Sequence, residues 1–283
     1  ANNIYAEKDE STGVFYTIDV ENTDGESGEN KVCGIFYRAS LLEGEPFDEH
    51  NESDGESVLL RQGAEAIIPA GLDFGLGQMS EGETFTFYIP SRFAYNAFAF
   101  SSIIPPNSII KMEVTLDRVM NEVGVLQMET EVIDDFITAN ELNDLDKNPL
   151  ETVTSLNSGV RFKRLAAGSG TETPATDQQV TVTYKGTFLD GKVFDETVGN
   201  DVFPFAISGE DVISGFEEGV RQLKEGDRGL VIIPSNSAYG ESVRVIPAFF
   251  KLDFISNRII PGYVNSIDPY TILLFEIELK EIL

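Results

Sequence analysis

The sequence is poor in the side chains on which most enzyme chemistry depends. Cys33 and His50 are the only cysteine and the only histidine among 283 residues, and tryptophan is absent. A single cysteine excludes an intrachain disulfide and a cysteine-rich metal site. A single histidine, in the polar run 48–56, argues against a histidine-dependent triad or a zinc centre. We therefore expect a protein that works without a metal or another cofactor.

Basic residues and long apolar runs are also scarce. Lys and Arg total 20 against 48 Asp and Glu, a net charge of −28. This balance argues against a nucleic-acid partner, because phosphate binding requires a basic surface. No apolar run approaches the ~18 residues of a membrane span, and the chain does not begin with a signal-peptide pattern. A link to a membrane is therefore expected only through a lipid attached upstream of Ala1.

What the sequence does contain is an internal repeat with a period near 147 residues, too long for a solenoid. Residues 12–16 match residues 158–162, and residues 89–95 match residues 233–239. Both halves also end in an alternating strand pattern. The repeat predicts a duplicated domain, with an N-terminal copy at 1–119, a helical linker at 120–157, and a C-terminal copy at 158–283 that carries a loop insertion at about 241–266.

Each copy reads mostly as β-strand. The only helical candidates inside the repeats are residues 71–79 and 215–223, each followed by a Glu-Gly turn. We therefore predict an α+β fold, in which each copy is a twisted antiparallel sheet of about five strands curled over one short α-helix. In the linker, apolar residues at helical spacing over 128–142 predict an amphipathic helix, which we expect to pack on a neighbouring domain rather than bind a partner.

The second half resembles an FKBP-type peptidyl-prolyl cis-trans isomerase domain. Its motifs stand in the family's order: VTYKG at 182–186, DGKVFD at 190–195, VISGFEEG at 212–219, AYG at 238–240 and LLFEIEL at 273–279. The first half is similar but more eroded, with Tyr37, Phe47-Asp48, Ala94-Tyr95-Asn96 and residues 103–107. The chain also resembles exported FKBP-type lipoproteins of the Bacteroidetes, which implies a location in the periplasm or cell envelope.

The resemblance implies an activity that the residue types allow. A proline peptide bond must rotate over a barrier of ~18–20 kcal/mol, and no covalent bond has to be made or broken. An apolar aromatic pocket that favours the twisted amide accelerates this rotation without acids or bases. The implied function is a proline isomerase that assists the folding of exported proteins, acts on proline-containing polypeptide clients, and binds macrolide-type inhibitors.

The resemblance also implies a set of site residues in each copy. In the second copy the catalytic set is Tyr184, Phe194, Asp195, Ile213, Phe216, Tyr239 and Phe275, with Phe203, Val212 and Ile267 as further substrate contacts. Phe216 would carry the proline ring, the Ile213 N–H and the Tyr239 hydroxyl would bond the substrate, and Asp195 would line the wall beside the twisting amide. In the first copy the corresponding set is Tyr37, Phe47, Asp48, Val58, Ile68, Leu72, Tyr95, Ile104 and Met112.

Both copies depart from the family pattern, which usually has tryptophan at the pocket floor. Phe216 keeps an aromatic face there, whereas Leu72 keeps only apolar bulk, so we expect activity mainly in the second copy. The insertion after Gly240 is compatible with an extended substrate groove, with docking on the other copy, and with closure of the pocket. Two functions therefore stay open: a proline isomerase, and a non-catalytic chaperone or peptide-binding module with the same fold.

Overall fold

The computed structural model describes residues 6–98, 103–147, 150–258, 260 and 267–283. Its backbone forms two compact units, one made of Ala1–Val123 with Glu241–Pro269 and the other of Gly124–Gly240 with Tyr270–Leu283. The chain therefore leaves the second unit after Gly240 and returns to it at Tyr270. Each unit combines an antiparallel sheet with one short helix, so the predicted α+β fold class is confirmed.

The first unit is built around one antiparallel sheet, and its order is β1-β2-β7-β8-β3-β4 with β5 also paired to β3. Its elements, in chain order, are β1 (Glu7–Lys8), β2 (Phe15–Val20), β3 (Val32–Leu41), β4 (Pro46–His50), β5 (Val58–Arg61), β6 (Ile67–Ile68), α1 (Ala70–Leu76), β7 (Thr84–Ile89) and β8 (Ile110–Met120). Short 3-10 helices span Glu52–Asp54 and Ser91–Phe93.

The rest of the chain begins with helix α2 (Glu122–Ala139) and repeats this pattern. Its elements are β9 (Thr154–Ser155), β10 (Arg161–Ala166), β11 (Gln179–Thr187), β12 (Val193–Glu196), β13 (Phe203–Ala206), α3 (Ser214–Val220), β14 (Arg228–Ile233), β15 (Arg244–Val245), α4 (Lys251–Ser256) and β16 (Leu273–Ile282). Further 3-10 helices span Ser235–Ser237 and Ala248–Phe250.

The second sheet has the same topology as the first. Its order is β12-β11-β16-β14-β10-β9, with β13 paired to β11 as β5 is paired to β3. Equivalent residues also keep the same register, since Tyr37 faces Val114 and Tyr184 faces Ile277. Each sheet has seven strands in the described part of the chain instead of about five, because three strands of two to five residues add to the four longer ones.

The two short helices lie under their sheets because glycines let them approach closely. A Cβ on Gly215 would lie 2.3 Å from the Ile233 side chain, and a Cβ on Gly219 would lie 2.5 Å from the Val231 side chain. Helix α3 therefore packs directly on β14. Gly71 and Gly75 of α1 meet Ile89 and Phe87 in the same way. Both helices are shorter at their C-terminal ends than predicted.

Helix α2 is amphipathic, as predicted, but begins and ends earlier than the apolar spacing indicated. Its Ile133 and Ile137 are buried against Ile232 of β14 in the second unit. The helix ends at Ala139 because Glu141 adopts a left-handed conformation with φ 52°, and the Leu142 N–H then donates to the Ile137 carbonyl. In the described residues no helix is long and apolar enough to cross a membrane.

Residues of the insertion form part of the first unit. Strand β15 pairs in parallel with β6 of the first unit, and the 3-10 helix Ala248–Phe250 leads directly into α4. The Ile68–Pro69 and Ile246–Pro247 peptide bonds are cis. Of the three arrangements compatible with the sequence, the structure shows docking on the first copy. The remainder of the predicted insertion, residues 259 and 261–266, lies outside the described residues.

Candidate functional site

The second unit contains a cavity of about 420 Å³ between its sheet and helix α3. Nine of the ten residues predicted for this site line it, and two acidic residues join them. The lining residues are Tyr184, Phe194, Asp195, Phe203, Glu210, Asp211, Val212, Ile213, Phe216, Tyr239 and Phe275. The sequence order of the motifs therefore located this cavity, although the motifs lie on separate elements.

Three aromatic rings form a cage at the cavity. Tyr184 comes from β11, Phe275 from the neighbouring β16, and Phe216 from the first turn of α3. The ring of Phe216 lies 5.6 Å from that of Tyr184 and 5.0 Å from that of Phe275, in both cases edge to face. This arrangement suits the opposite charges of ring edge and ring face. Phe216 and Phe275 are both buried, so the rings are held in place by the core.

Gly186 lets Phe194 close the side of this cage. A Cβ at Gly186 would lie 2.7 Å from the Phe194 ring and 2.9 Å from the Phe275 ring. The two rings meet edge to face with centroids 5.4 Å apart. In the first copy the equivalent residue is Ala39, and Met112 stands opposite it where Phe275 stands opposite Gly186. The loss of the glycine is thus matched by the loss of an aromatic neighbour.

A tyrosine and an aspartate form the polar wall of the cavity. The Tyr184 hydroxyl donates a hydrogen bond of 2.5 Å to Oδ2 of Asp195. Burial raises the pKa of Tyr184 above its ordinary value, and the bond to Asp195 raises it further. The phenol therefore stays protonated at neutral pH and acts as a fixed donor, which holds the Asp195 carboxylate at the wall.

Two hydrogen-bond donors at the cavity are left without partners. The Tyr239 side chain is 37% exposed, and its hydroxyl has no hydrogen-bond partner in the described part of the chain. Burial raises the pKa of Tyr239, and the nearby charge of Asp195 adds to this effect. The N–H of Ile213, just before α3, likewise has no acceptor among the described residues. A carbonyl placed in the cavity is the group that both donors require.

Glu210 and Asp211 at the rim of the cavity were missed by the sequence reasoning. Both side chains are exposed and line the cavity beside Val212. Neither carboxylate has a hydrogen-bond or ion-pair partner among the described residues. Their position just before the Val-Ile motif was the one available signal, but exposed acids are common in a chain with this net charge.

Ile267 is the predicted second-copy residue that the structure places elsewhere. It belongs to the first compact unit, where it is buried. Its carbonyl accepts hydrogen bonds from the Ser242 hydroxyl at 2.9 Å and from Nζ of Lys251 at 2.8 Å. Within the described chain, Ile267 is therefore part of the docked insertion and not of the cavity lining.

The residues predicted for the first pocket do come together. Tyr37, Leu72, Tyr95, Ile104 and Met112 are buried in one core, and Phe47, Val58 and Ile68 pack against it. The Tyr37 hydroxyl donates to Oδ2 of Asp48 at 2.8 Å, as Tyr184 does to Asp195. The same core also contains Val245, Ile246, Phe250, Phe254 and Ile260. The insertion thus supplies side chains to the place where a pocket was expected.

The polar groups of the first pocket are used by the insertion. The hydroxyl of Tyr95, the equivalent of Tyr239, donates a hydrogen bond to the Ile246 carbonyl. The Ile246 N–H donates to the Ile68 carbonyl at 2.8 Å. The parallel register of β15 and β6 also sets the Ile68 N–H, the equivalent of the Ile213 N–H, against the Arg244 carbonyl.

Arg244 brings a positive charge to the Tyr37–Asp48 pair. Its guanidinium forms an ion pair of 2.8 Å with Asp268, and its charge acts to lower the pKa of Tyr37. Burial raises the pKa of Asp48, and the Tyr37 hydrogen bond and the Arg244 charge act against that rise. Burial also raises the pKa of Tyr37, with the charge of Asp48 as the second cause. The insertion therefore compensates part of the charge that it covers.

Groups of three or more histidine, cysteine, aspartate or glutamate side chains that could hold a metal ion do not occur in the part of the chain that the structure describes. Cys33 is buried in β3, and its Sγ lies 3.5 Å from the Gly28 carbonyl. Its surroundings are those of a core residue.

The model of the FKBP-type peptidyl-prolyl cis-trans isomerase family matches this chain twice, at residues 24–117 and 170–280, which together make up well over half of it. The chain belongs to this family. Each match covers most of one copy of the repeated sheet-and-helix unit. Residues 241–258, which dock on the first copy, lie inside the second match.

Known proteins of the family resemble parts of the chain. Peptidyl-prolyl cis-trans isomerase Fkbp12 of Drosophila melanogaster is 34% identical over 125 residues, which are 44% of this chain and 98% of the relative. The macrophage infectivity potentiator of Trypanosoma cruzi is 38% identical over 35% of this chain and 51% of the relative. The crystal structure of FkpA from Escherichia coli is 28% identical over 55% of this chain and 63% of that chain, with a TM-score of 0.36.

The match to several longer relatives is partial. The chain spans 31% of FK506-binding protein 4 of Dictyostelium discoideum and 57% of an FkpA of Buchnera aphidicola.

Proposed function

We propose that the cavity of the second unit catalyses the cis-trans isomerisation of proline peptide bonds in polypeptide clients. The observation that carries this proposal is the pairing of an apolar aromatic cage with two unpaired donors, the Tyr239 hydroxyl and the Ile213 N–H. A cluster of aromatic rings alone does not indicate a binding site, because buried aromatic residues are ordinary parts of a hydrophobic core. A cage with donors that have no partner in the described chain is suited to a peptide that brings carbonyls.

The reaction needs little more than this environment. A planar proline amide owes its barrier of ~18–20 kcal/mol to resonance, which also makes it dipolar. Rotation removes the resonance, so the twisted amide is less polar and loses less on transfer from water to the cage. Each 1.36 kcal/mol of such differential stabilisation increases the rate about tenfold. A site without acids and bases therefore suffices.

The proline ring packs on Phe216 at the floor, between the edges of Tyr184 and Phe275. The Tyr239 hydroxyl and the Ile213 N–H donate to substrate carbonyls and hold the flanking backbone while the amide turns. Asp195, fixed by Tyr184, lines the wall at which the twisting carbonyl passes.

The second copy is the proposed site of activity because its two donors have no partner among the described residues, whereas those of the first copy are engaged. Tyr95 donates to Ile246, and side chains of the insertion share the core of the first unit. The isomerase rate of the full chain is therefore expected to depend on substitutions around Phe216 and not on equivalent substitutions around Leu72.

The test is a Phe216→Ala substitution in the full chain. Proline-limited refolding of a model client and isomerisation of a proline peptide are measured together. We expect the rate constant to fall at least tenfold, because the floor of the cage is lost. The control is Phe15→Ala, which removes an aromatic ring that is 42% exposed on β2, and which is expected to leave the rate within twofold. A Phe216→Ala protein that is folded and fully active would refute the assignment.

A second candidate is a holding function without catalysis. It is favoured by the first copy, in which the same fold retains an Ile-Pro segment between Tyr95 and Ile68. If the wild-type protein binds proline peptides in the second cavity but leaves their isomerisation rate at the uncatalysed value, the holding function replaces the enzymatic one.

Two further proposals concern partners and location. One relative is named FK506-binding protein 4, and we propose that a macrolide of this type competes with clients for the cage around Phe216; displacement of a labelled proline peptide tests this. We also propose that the protein acts on exported clients in the periplasm or cell envelope, as the likeness to exported lipoproteins implies. Fractionation of cells that produce the full-length gene product, with labelled palmitate to detect a lipid, tests the location.

A further inference from the structure

The insertion meets the first unit as a bound peptide meets its receptor. Residues 244–246 are extended along β6, with the Arg244 N–H donating to the Ala66 carbonyl at 2.7 Å and the Ile246 N–H to the Ile68 carbonyl at 2.8 Å. Tyr95 donates to the Ile246 carbonyl from the other side. Backbone pairing along an exposed short strand is a common mode of peptide recognition.

Side chains of the insertion then anchor this contact. Ile246 and Phe250 are fully buried, and Phe254 is 1% exposed. Phe250 and Phe254 are four residues apart, so they lie on one face of the helical turn, and both rings contact Tyr95 at centroid distances of 5.9 and 6.0 Å.

The opposite face of the same turn is exposed to solvent. Phe249 is 52% exposed and Leu252 is 64% exposed. The segment is thus amphipathic, with its apolar anchors in the pocket and other large side chains outside. Substitutions on the two faces can therefore be compared, which separates the effect of contact with the pocket from the effect of losing any large apolar side chain.

We propose that residues 244–254 are an internal ligand of the first unit, and that they keep its pocket closed to other polypeptides. The pocket selects an extended aliphatic segment that ends in Ile-Pro and continues into a helical turn with aromatic residues four positions apart. A basic residue two positions before the isoleucine suits the Tyr37–Asp48 pair, as Arg244 does here. The first unit is then a peptide-binding domain that is occupied within its own chain. This inference does not depend on catalysis in the second unit.

The test uses a labelled synthetic peptide with the sequence of residues 242–257 and full-length protein. The anchor variant Phe250→Ala/Phe254→Ala weakens the internal ligand, and the control variant Leu252→Ala removes a side chain from its exposed face only. A tethered segment competes at an effective concentration on the order of 1 mM. For a peptide that binds at about 10 μM, we therefore expect the anchor variant to bind about 100-fold more tightly than the wild type and the control variant.

The site of binding is read by cross-linking, because the peptide contains Ile-Pro and also suits the second cavity. A photoreactive phenylalanine at the position of Phe254 is expected to attach to the fragment that contains Tyr95 in the anchor variant only. The proposal is overturned if the wild type and the anchor variant cross-link there equally. It is also overturned if the anchor variant retains its circular dichroism spectrum and does not bind.

A measurement on the wild type covers the case in which the anchor variant does not fold. Native-state hydrogen exchange compares the amide of Ile246 with the amides of Met112 and Val114 in the central strand β8. A ligand that docks and undocks exposes the Ile246 amide by local opening, so its exchange is expected to be at least 10-fold faster. Equal rates at all three positions would mean that the segment separates only on global unfolding, and would overturn the proposal.

Discussion

Replacing tyrosine by phenylalanine is expected to have opposite consequences at the equivalent positions 95 and 239. Tyr95 is 7% exposed and donates to the buried Ile246 carbonyl. Tyr239 is 37% exposed, and its hydroxyl has no partner in the described part of the chain. The first hydroxyl therefore contributes to stability, and the second is available to a substrate.

The structure sets the size of both effects. Tyr95→Phe leaves the Ile246 carbonyl buried without its donor, which costs about 1–3 kcal/mol. With a urea slope of ~2 kcal/mol per molar, the unfolding midpoint of the first unit moves down by about 1 M. Tyr239→Phe removes no hydrogen bond within the part of the chain that the structure describes, so stability changes by less than ~0.5 kcal/mol. Loss of a substrate hydrogen bond of ~0.5–1.5 kcal/mol lowers the isomerase rate about 2- to 10-fold.

The two variants are compared in urea titrations and in a proline-peptide isomerisation assay. Labelling of Cys33, which is buried in β3, reports the unfolding of the first unit, and circular dichroism reports both units. The Tyr95→Phe rate is measured without urea and is expected to stay within twofold of the wild type. The reasoning fails if Tyr95→Phe lowers the rate as much as Tyr239→Phe does, or if Tyr239→Phe destabilises the protein by more than 1 kcal/mol.

Three further outcomes follow from single residues. Gly186→Ala forces a Cβ to within 2.7 Å of the Phe194 ring, so a rate reduction of about tenfold with little change in circular dichroism is expected; an unchanged rate would contradict the role of the cage. Burial raises the pKa of Cys33 to about 12, so the thiol should resist a disulfide reagent at pH 8 until urea unfolds the chain. Burial lowers the pKa of Lys251 in the folded protein below its usual 10.5. Between the folded and the unfolded pKa, Lys251 binds more protons in the unfolded chain, so its contribution to the free energy of unfolding rises with pH in that range. Lys251→Met should remove that rise from urea midpoints measured up to pH 10.5. If the midpoints of the variant and the wild type change with pH in parallel, this contribution of Lys251 is excluded.

The duplicated fold and most of the second site could be predicted because their signals are local. A short motif such as Ile-Ser-Gly-Phe predicts three things at once: the aromatic residue at the site, the glycine that lets the helix approach the sheet, and the residue at which that helix begins. Gly215 illustrates this, since only a residue without a side chain fits 2.3 Å from Ile233. The strand alternation then sets which side chains face the helix.

The position of the insertion could not be predicted from the sequence, because it depends on contacts between residues that are far apart along the chain. The Tyr95–Ile246 hydrogen bond spans 151 positions, and nothing near Ile246 indicates which apolar surface it covers. For the same reason Ile267, predicted as a substrate contact of the second copy, belongs to the first unit and not to the cavity. The rim acids Glu210 and Asp211 were missed because their role depends on the cavity beside them.

The return of the chain to the first unit has a consequence for the order of events during synthesis. A ribosome makes residues 1–123 long before Val245, Phe250 and Phe254, which complete the core of that unit. Domains usually fold as they are made, the N-terminal one first. Here the first unit is completed only after residues 245–254 have been made, and the surface around Leu72 and Tyr95 is exposed in the meantime. A nascent chain stalled before residue 241 should therefore engage chaperones more strongly than one extended past residue 260.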